Sequence, residues 1–190
     1  MSAWASATTA APALARAGLA AALVLGAGGG ARVALSRMPE GPPADAERAR
    51  VREVIDGDTL VLDGGEHLRI LGVDTPETRH PELDGPQALG PEASARLKHL
   101  VEGREVRLER EAQDRDHYGR LLRHVWLGRR LIAEQLLEEG LAWRLVLPPN
   151  TGHAERLARA EARARAAGRG LWGLPRPTPL PIFGRPGAAP

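Results

Sequence analysis

Asp56-Gly57-Asp58-Thr59 sets two carboxylates on either side of a glycine, and Arg69 follows with Asp74-Thr75-Pro76-Glu77 a strand's length later. Further along stands Asp116-His117-Tyr118-Gly119-Arg120. Carboxylates of this kind suit a hard cation, which takes oxygen donors, while a carboxylate outside the ligand set is free to act on water. Arginine offers a planar fork that matches two phosphate oxygens at once. Metal-assisted cleavage of a phosphodiester needs these three kinds of group. Each piece is ambiguous by itself. Asp-Gly-Asp also closes ordinary Asx turns, Arg69 also reads as a strand-surface cation, and a turn arginine such as Arg120 is usually just solvated.

Positioning these groups falls to short β runs. Val51, Val54-Ile55, Leu60-Val61-Leu62 and Leu68, Ile70, Leu71, Val73 have β-type spacing, and Asp63-Gly64-Gly65 predicts a hairpin turn between the second and third strands. Pro76 keeps Thr75 extended, so that a stiff turn displays Asp74 and Glu77. If the first and third strands are neighbours, Asp58 and Asp74 meet across them. Pro91 suits the first turn of a helix with Ala93, Leu97, Leu100 and Val101 on one stripe and Gly103 just past its end. Strands are predicted at Val106–Leu108 and Leu121–Leu127, and a helix over 131–139 is stopped by Gly140. A last helix begins near His153 with Leu157, Ala160, Ala164, Ala167 and Leu171 along one side, and Glu155–Arg159 and Glu161–Arg165 at the favourable four-residue spacing. Five strands with a helix between the third and fourth predict an α+β fold, a five-stranded OB-type Greek-key β-barrel with three helices.

Composition bounds the rest. The 190 residues, 43% apolar, suit one domain with appendages. Having no cysteine excludes thiolate metal sites, disulfides and a cysteine nucleophile. The formal charge of +2 and pI near 9.8 reflect arginine excess, compatible with a polyanionic partner. His67, His80, His99, His117, His124 and His153 are poorly spaced for zinc and read as surface or hydrogen-bonded residues, and no EF-hand loop is present. Residues 17–31 are apolar or glycine between Arg16 and Arg32. They are short for a membrane span and fit the apolar region of an export signal, with an uncleaved anchor or a disordered extension as the other readings. The expected organisation is a signal or anchor plus linker over 1–50, a domain over 51–174, and a proline-rich disordered tail over 175–190.

Taken in order, Val54–Thr59, Arg69–Glu77, Gly90–Ser94 and Asp116–Arg120, with Gly140-Leu141-Ala142 and the last helix to about Trp172, resemble the thermonuclease, or staphylococcal nuclease-like, family. The resemblance implies an OB-type barrel with three helices that cleaves DNA and RNA with Ca²⁺, leaving 3′-phosphates. It implies Asp58 and Asp74 as metal carboxylates, the Thr75 carbonyl as a further ligand, and Glu77 as the residue that positions or deprotonates the attacking water. Arg69 and Arg120 match the family's phosphate-gripping pair, Tyr118 a phosphate contact, and Asp56 a supporting acidic residue. A non-catalytic nucleic-acid-binding barrel is the alternative, although it would not need every one of these acidic and arginine residues. Membrane attachment, if any, would run through residues 17–31, the location is extracytoplasmic or secreted, and no obligate protein partner is expected. One departure concerns the bases. Family members with base preference carry two tyrosines before a Pro-Asn turn, where this chain has Leu145-Val146-Leu147 before Pro148-Pro149-Asn150. Weaker or different base preference is therefore expected. The loop from Arg79 to Leu89 is also less positive, because it carries Glu82 and Asp84.

Overall fold

A computed structural model describes residues 41–78 and 85–175. Strands β1 (Glu47–Val54), β2 (Thr59–Leu62), β3 (His67–Ile70) and β4 (Gly72–Asp74) precede helix α1 (Gly90–Val101). Strands β5 (Glu105–Glu109), β6 (Leu121–Leu127) and β7 (Arg130–Leu131) lead into α2 (Ile132–Glu138), followed by β8 (Trp143–Leu145), α3 (Ala154–Ala166) and a 3₁₀ turn at Gly170–Gly173.

Five of these strands close a barrel. Antiparallel pairing runs β3-β2-β1-β5-β6, and parallel pairing of β3 with β6 completes the ring. This is the predicted OB-type α+β barrel. The predicted hairpin turn is present, with the Gly65 N–H donating to the Leu62 carbonyl at 2.8 Å. Alternate residues of β3 separate cleanly: Leu68 and Ile70 are buried while His67 is exposed and Arg69 half-buried. Leu60, Leu68, Ile70, Leu108, Val125 and Trp126 belong to the core, capped by Leu97 of α1, Leu136 of α2 and Leu157 of α3. Each such leucine removed from water contributes about 2 kcal/mol.

Three features depart from expectation. The third apolar run divides at Leu71-Gly72, where Gly72 adopts a left-handed φ of 88° and a Cβ would lie 2.2 Å from the Leu157 Cδ1. The chain therefore leaves the barrel as β4 and pairs with β8, Asp74 lying opposite Trp143. Secondly, β1 and β3 are not neighbours, because both flank β2. Thirdly, α3 ends at Ala166, Ala167 is exposed, and Leu171 is buried by the 3₁₀ turn instead, its N–H donating to the Gly140 carbonyl at 2.9 Å. The Glu155–Arg159 and Glu161–Arg165 pairs do form, both at 3.5 Å.

Two histidines are internal. The buried His153 imidazole meets the Glu109 Oε2 at 3.0 Å, the Trp126 Nε1–H donates to the same oxygen at 2.7 Å, and buried His124 pairs with Glu111. Glu111 also accepts the Gly152 N–H at 3.1 Å, so these carboxylates dock the start of α3 onto β5 and β6. At the other end of the domain, Arg107 of β5 donates to the carbonyls of Ala46 and Ala44 at 2.8 and 2.9 Å, fastening the segment before β1. The apolar run 17–31, Glu82, Asp84 and His80, and the proline-rich segment beyond Pro175 lie outside the described residues. Among the described residues, no helix is long and apolar enough to cross a membrane.

Candidate active site

Asp58 is delivered by the turn between β1 and β2, and Asp74 by the end of β4. They converge, although not across adjoining first and third strands as expected. The Ile70 N–H donates to the Asp58 carbonyl at 2.9 Å, and the bend at Gly72 then swings β4 back over this turn. Gly57 permits the approach: a Cβ there would lie 2.5 Å from the Thr75 hydroxyl oxygen. Thr75 donates to the Asp58 Oδ2 from its N–H at 2.9 Å and its hydroxyl at 3.0 Å, and Asp56 Oδ1 accepts the Asp58 N–H at 3.0 Å.

Between the two carboxylates lies Arg69. Its Nη2 is 2.7 Å from Asp74 Oδ1 and 3.2 Å from Asp58 Oδ2, and its Nη1 donates to the carbonyls of Ile70 and Val73 at 3.0 and 2.8 Å. The guanidinium is thus largely enclosed and paired, not the surface cation it could have been. Burial pushes the Asp74 carboxyl up to about 7; Arg69 opposes that rise, while Asp58 and Glu77 add to it. Asp56 is raised as well, by burial first and by Asp58 second. One guanidinium therefore does not offset the negative charge gathered here. Among the described residues no three Asp, Glu or His side chains already form a ligand cage. Two buried carboxylates with an adjacent backbone carbonyl, completed by water, fit a hard cation that takes six to eight oxygens.

Glu77 is exposed, and its backbone is clasped on both sides by buried Gln87, whose Oε1 accepts the Glu77 N–H at 2.8 Å and whose N–H donates to the Glu77 carbonyl at 2.9 Å. Arg120 stands immediately before β6. In the parallel register Arg69 faces Leu122, and one step back His67 and Arg120 line the same cleft. The Asp116 carboxylate accepts the N–H groups of Tyr118 and Arg120 at 3.0 and 2.9 Å and the Arg120 Nε–H at 2.7 Å. Both Nη groups of Arg120 are left without a hydrogen bond among the described residues. Tyr118 is 70% exposed, with the Arg120 guanidinium carbon 5.4 Å from its ring centre.

Comparison with known proteins gives the family. The profile of the staphylococcal nuclease homologue family matches residues 67–173. The chain is 39% identical to the thermonuclease of Staphylococcus hyicus over 132 residues, 68% of this chain and 78% of that protein. It is 38% identical to the Staphylococcus intermedius thermonuclease over 125 residues, 64% and 74% of the two chains. Endonuclease YncB of Bacillus subtilis (strain 168) is 40% identical over 123 residues, 62% of this chain and 58% of that protein. The chain belongs to the staphylococcal nuclease homologue family.

Of the candidate residues, the structure links Asp56, Asp58, Thr75, Arg69 and Asp74 in one chain of direct contacts. Gln87 and Asp116 also support the site, through the Glu77 backbone and the Arg120 side chain. Gln87 gives no sequence signal, being one polar residue in a loop. Asp116 had one, since it stands four residues before Arg120. The Leu145–Leu147 departure is also visible: Leu147 is 52% exposed, so an aliphatic surface stands where aromatic rings were absent from the sequence.

Proposed function

We propose that the chain is a nuclease that hydrolyses phosphodiester bonds of DNA, RNA or both in the presence of Ca²⁺, leaving 3′-phosphates. The observation that carries this reading is the convergence of Asp58 and Asp74 on Arg69 at 3.2 and 2.7 Å, with Thr75 bonded to Asp58. Asp58, Asp74 and the Thr75 carbonyl would hold the cation, supported by Asp56. When bound, such a cation supplies Lewis-acid stabilisation of negative charge on the phosphate.

The chain's own residues do the rest. Glu77, exposed at the rim, orients a water for in-line attack at phosphorus and takes its proton; as the P–O5′ bond breaks, the departing 5′-oxygen takes a proton from solvent water and leaves as a hydroxyl, and Glu77 later returns its proton to solvent. Negative charge accumulates on the equatorial oxygens during attack. Arg120, aligned by Asp116, and Arg69 stabilise that charge, each such donor being worth about 3 kcal/mol in a preorganised site. The Tyr118 hydroxyl contacts a neighbouring phosphate.

Plasmid incubated with the chain and Ca²⁺ should be nicked and linearised, and a chelator should abolish the reaction. Binding without chelator-sensitive cleavage would instead support a non-catalytic barrel. Export is part of the same reading, resting on the apolar run 17–31, and the mass of the mature N-terminus checks it.

A further inference from the structure

Two clefts stand out among the described residues. One, of about 440 Å³, is flanked by α2 and lined by both signs of charge, with Arg156 meeting Glu134 at 2.5 Å. The other, of about 580 Å³, opens between the turn after β2 and the turn before β6, alongside Arg120. Glu66 and His67 form one of its walls, Tyr118 and Arg120 the other.

Arg115 ties these walls together. Its Nη1 donates to Glu66 Oε2 at 2.9 Å and to the Gly119 carbonyl at 2.8 Å, and its Nη2 donates to Glu66 Oε1 at 3.3 Å. The cleft is thus built before any ligand arrives. The exposed Tyr118 ring is braced by His117, with ring centres 3.7 Å apart. An exposed aromatic face beside a phosphate-binding arginine accepts an unstacked base, whatever its identity. Glu66 adds discrimination. Hydrogen bonding from Arg115 holds its carboxyl below the usual range, so it is an ionised acceptor with lone pairs to spare. Cytosine, adenine and guanine carry an amino group that donates to a carboxylate, whereas thymine and uracil carry none.

We propose that this cleft is the subsite for the nucleoside attached to the phosphate held by Arg120, with the base stacked on Tyr118 and its amino group donating to Glu66. The chain then favours bases with an exocyclic amino group, cytosine, adenine or guanine, over thymine or uracil in single strands. The proposal rests on the nuclease reading above.

Binding by the full chain of labelled single-stranded oligo-dC and oligo-dT, followed by fluorescence anisotropy in chelator at mildly alkaline pH, tests it without cleavage. Oligo-dC should bind about three- to tenfold more tightly, the range of one hydrogen bond. Glu66→Gln retains an oxygen for Arg115 and should bring the two affinities within about twofold of each other. Gly64→Leu, at a position where a Cβ meets nothing within 4 Å, should weaken both by filling the cleft. Equal or tighter binding of oligo-dT, a dC/dT ratio unchanged in Glu66→Gln, or undiminished binding in Gly64→Leu would overturn the subsite. Plasmid nicking run in parallel separates the two readings. Nicking without base bias removes the subsite alone, and a Glu66-dependent bias without nicking removes the nuclease reading alone.

Discussion

Asp116 shows how one carboxylate fixes the position of a guanidinium four residues away. Burial tends to raise its pKa, yet hydrogen bonds from the Arg120 side chain and backbone outweigh burial and lower it, so it stays ionised against the guanidinium. Replacing Arg120 by Ala, or Glu77 by Gln, should reduce turnover at least about tenfold with the domain still folded, as removal of a transition-state donor or a proton acceptor does. Steady-state cleavage rates beside thermal melts check this, and unchanged turnover in either variant discredits the role of that residue. Asp116→Asn should lower turnover less than Arg120→Ala, and should add nothing in the Arg120→Ala background if Asp116 acts only through Arg120. Additive losses in that double variant would give Asp116 an independent role. At this scale residue identity was legible, and so was the meeting of Asp58 with Asp74, but not the place of Arg69 between them. Asp58, Asp74 and Arg69 could be named from their motifs, but Gln87 could not, because its task is to hold the backbone of a residue ten positions away.

Among the elements, the short ones decide the site and were the hardest to read. Strands of two or three residues, such as β4, β7 and β8, hold too few positions to display alternation, whereas the stripes of α1 and α3 stand out over three turns. The break between β3 and β4 depends on Gly72. Gly72→Ala should destabilise the domain by about 3 kcal/mol, combining a left-handed backbone with a clash against buried Leu157, and denaturant melts measure it. Docking of α3 should be pH-sensitive. Burial would raise Glu109 and Glu111, but hydrogen bonds involving His153, Trp126 and His124 prevail and lower both from 4.5. A carboxyl with a depressed folded-state pKa stabilises the fold above its unfolded value, and that contribution vanishes as pH falls through the folded value. The melting-temperature gap between the unaltered chain and Glu109→Gln should therefore be full above about pH 4.5 and close below it. A gap that persists in acid would mean that the charge of Glu109 does not hold α3.

For the whole molecule, Arg107 fastens the chain from Ala44 to Ala46 and the 3₁₀ turn ends at Gly173, so the folded unit is anchored at both described ends. A chain trimmed to residues 41–175 should keep its melting temperature within a few degrees and its nuclease rate unchanged. A large loss of either would show that the segments outside contribute to the domain. What the sequence determined alone was the inventory: the periodicities that specify a five-stranded barrel with three helices, and the acidic and arginine residues available for chemistry. These are local properties, carried by side-chain alternation and by motifs a few residues long. Only the tertiary structure decided that β2 separates β1 from β3, that β4 folds away to pair with β8, and that Arg69 sits between Asp58 and Asp74. Those outcomes depend on barrel closure and on α3 packing against Gly72, contacts between residues far apart in the chain that no local pattern encodes.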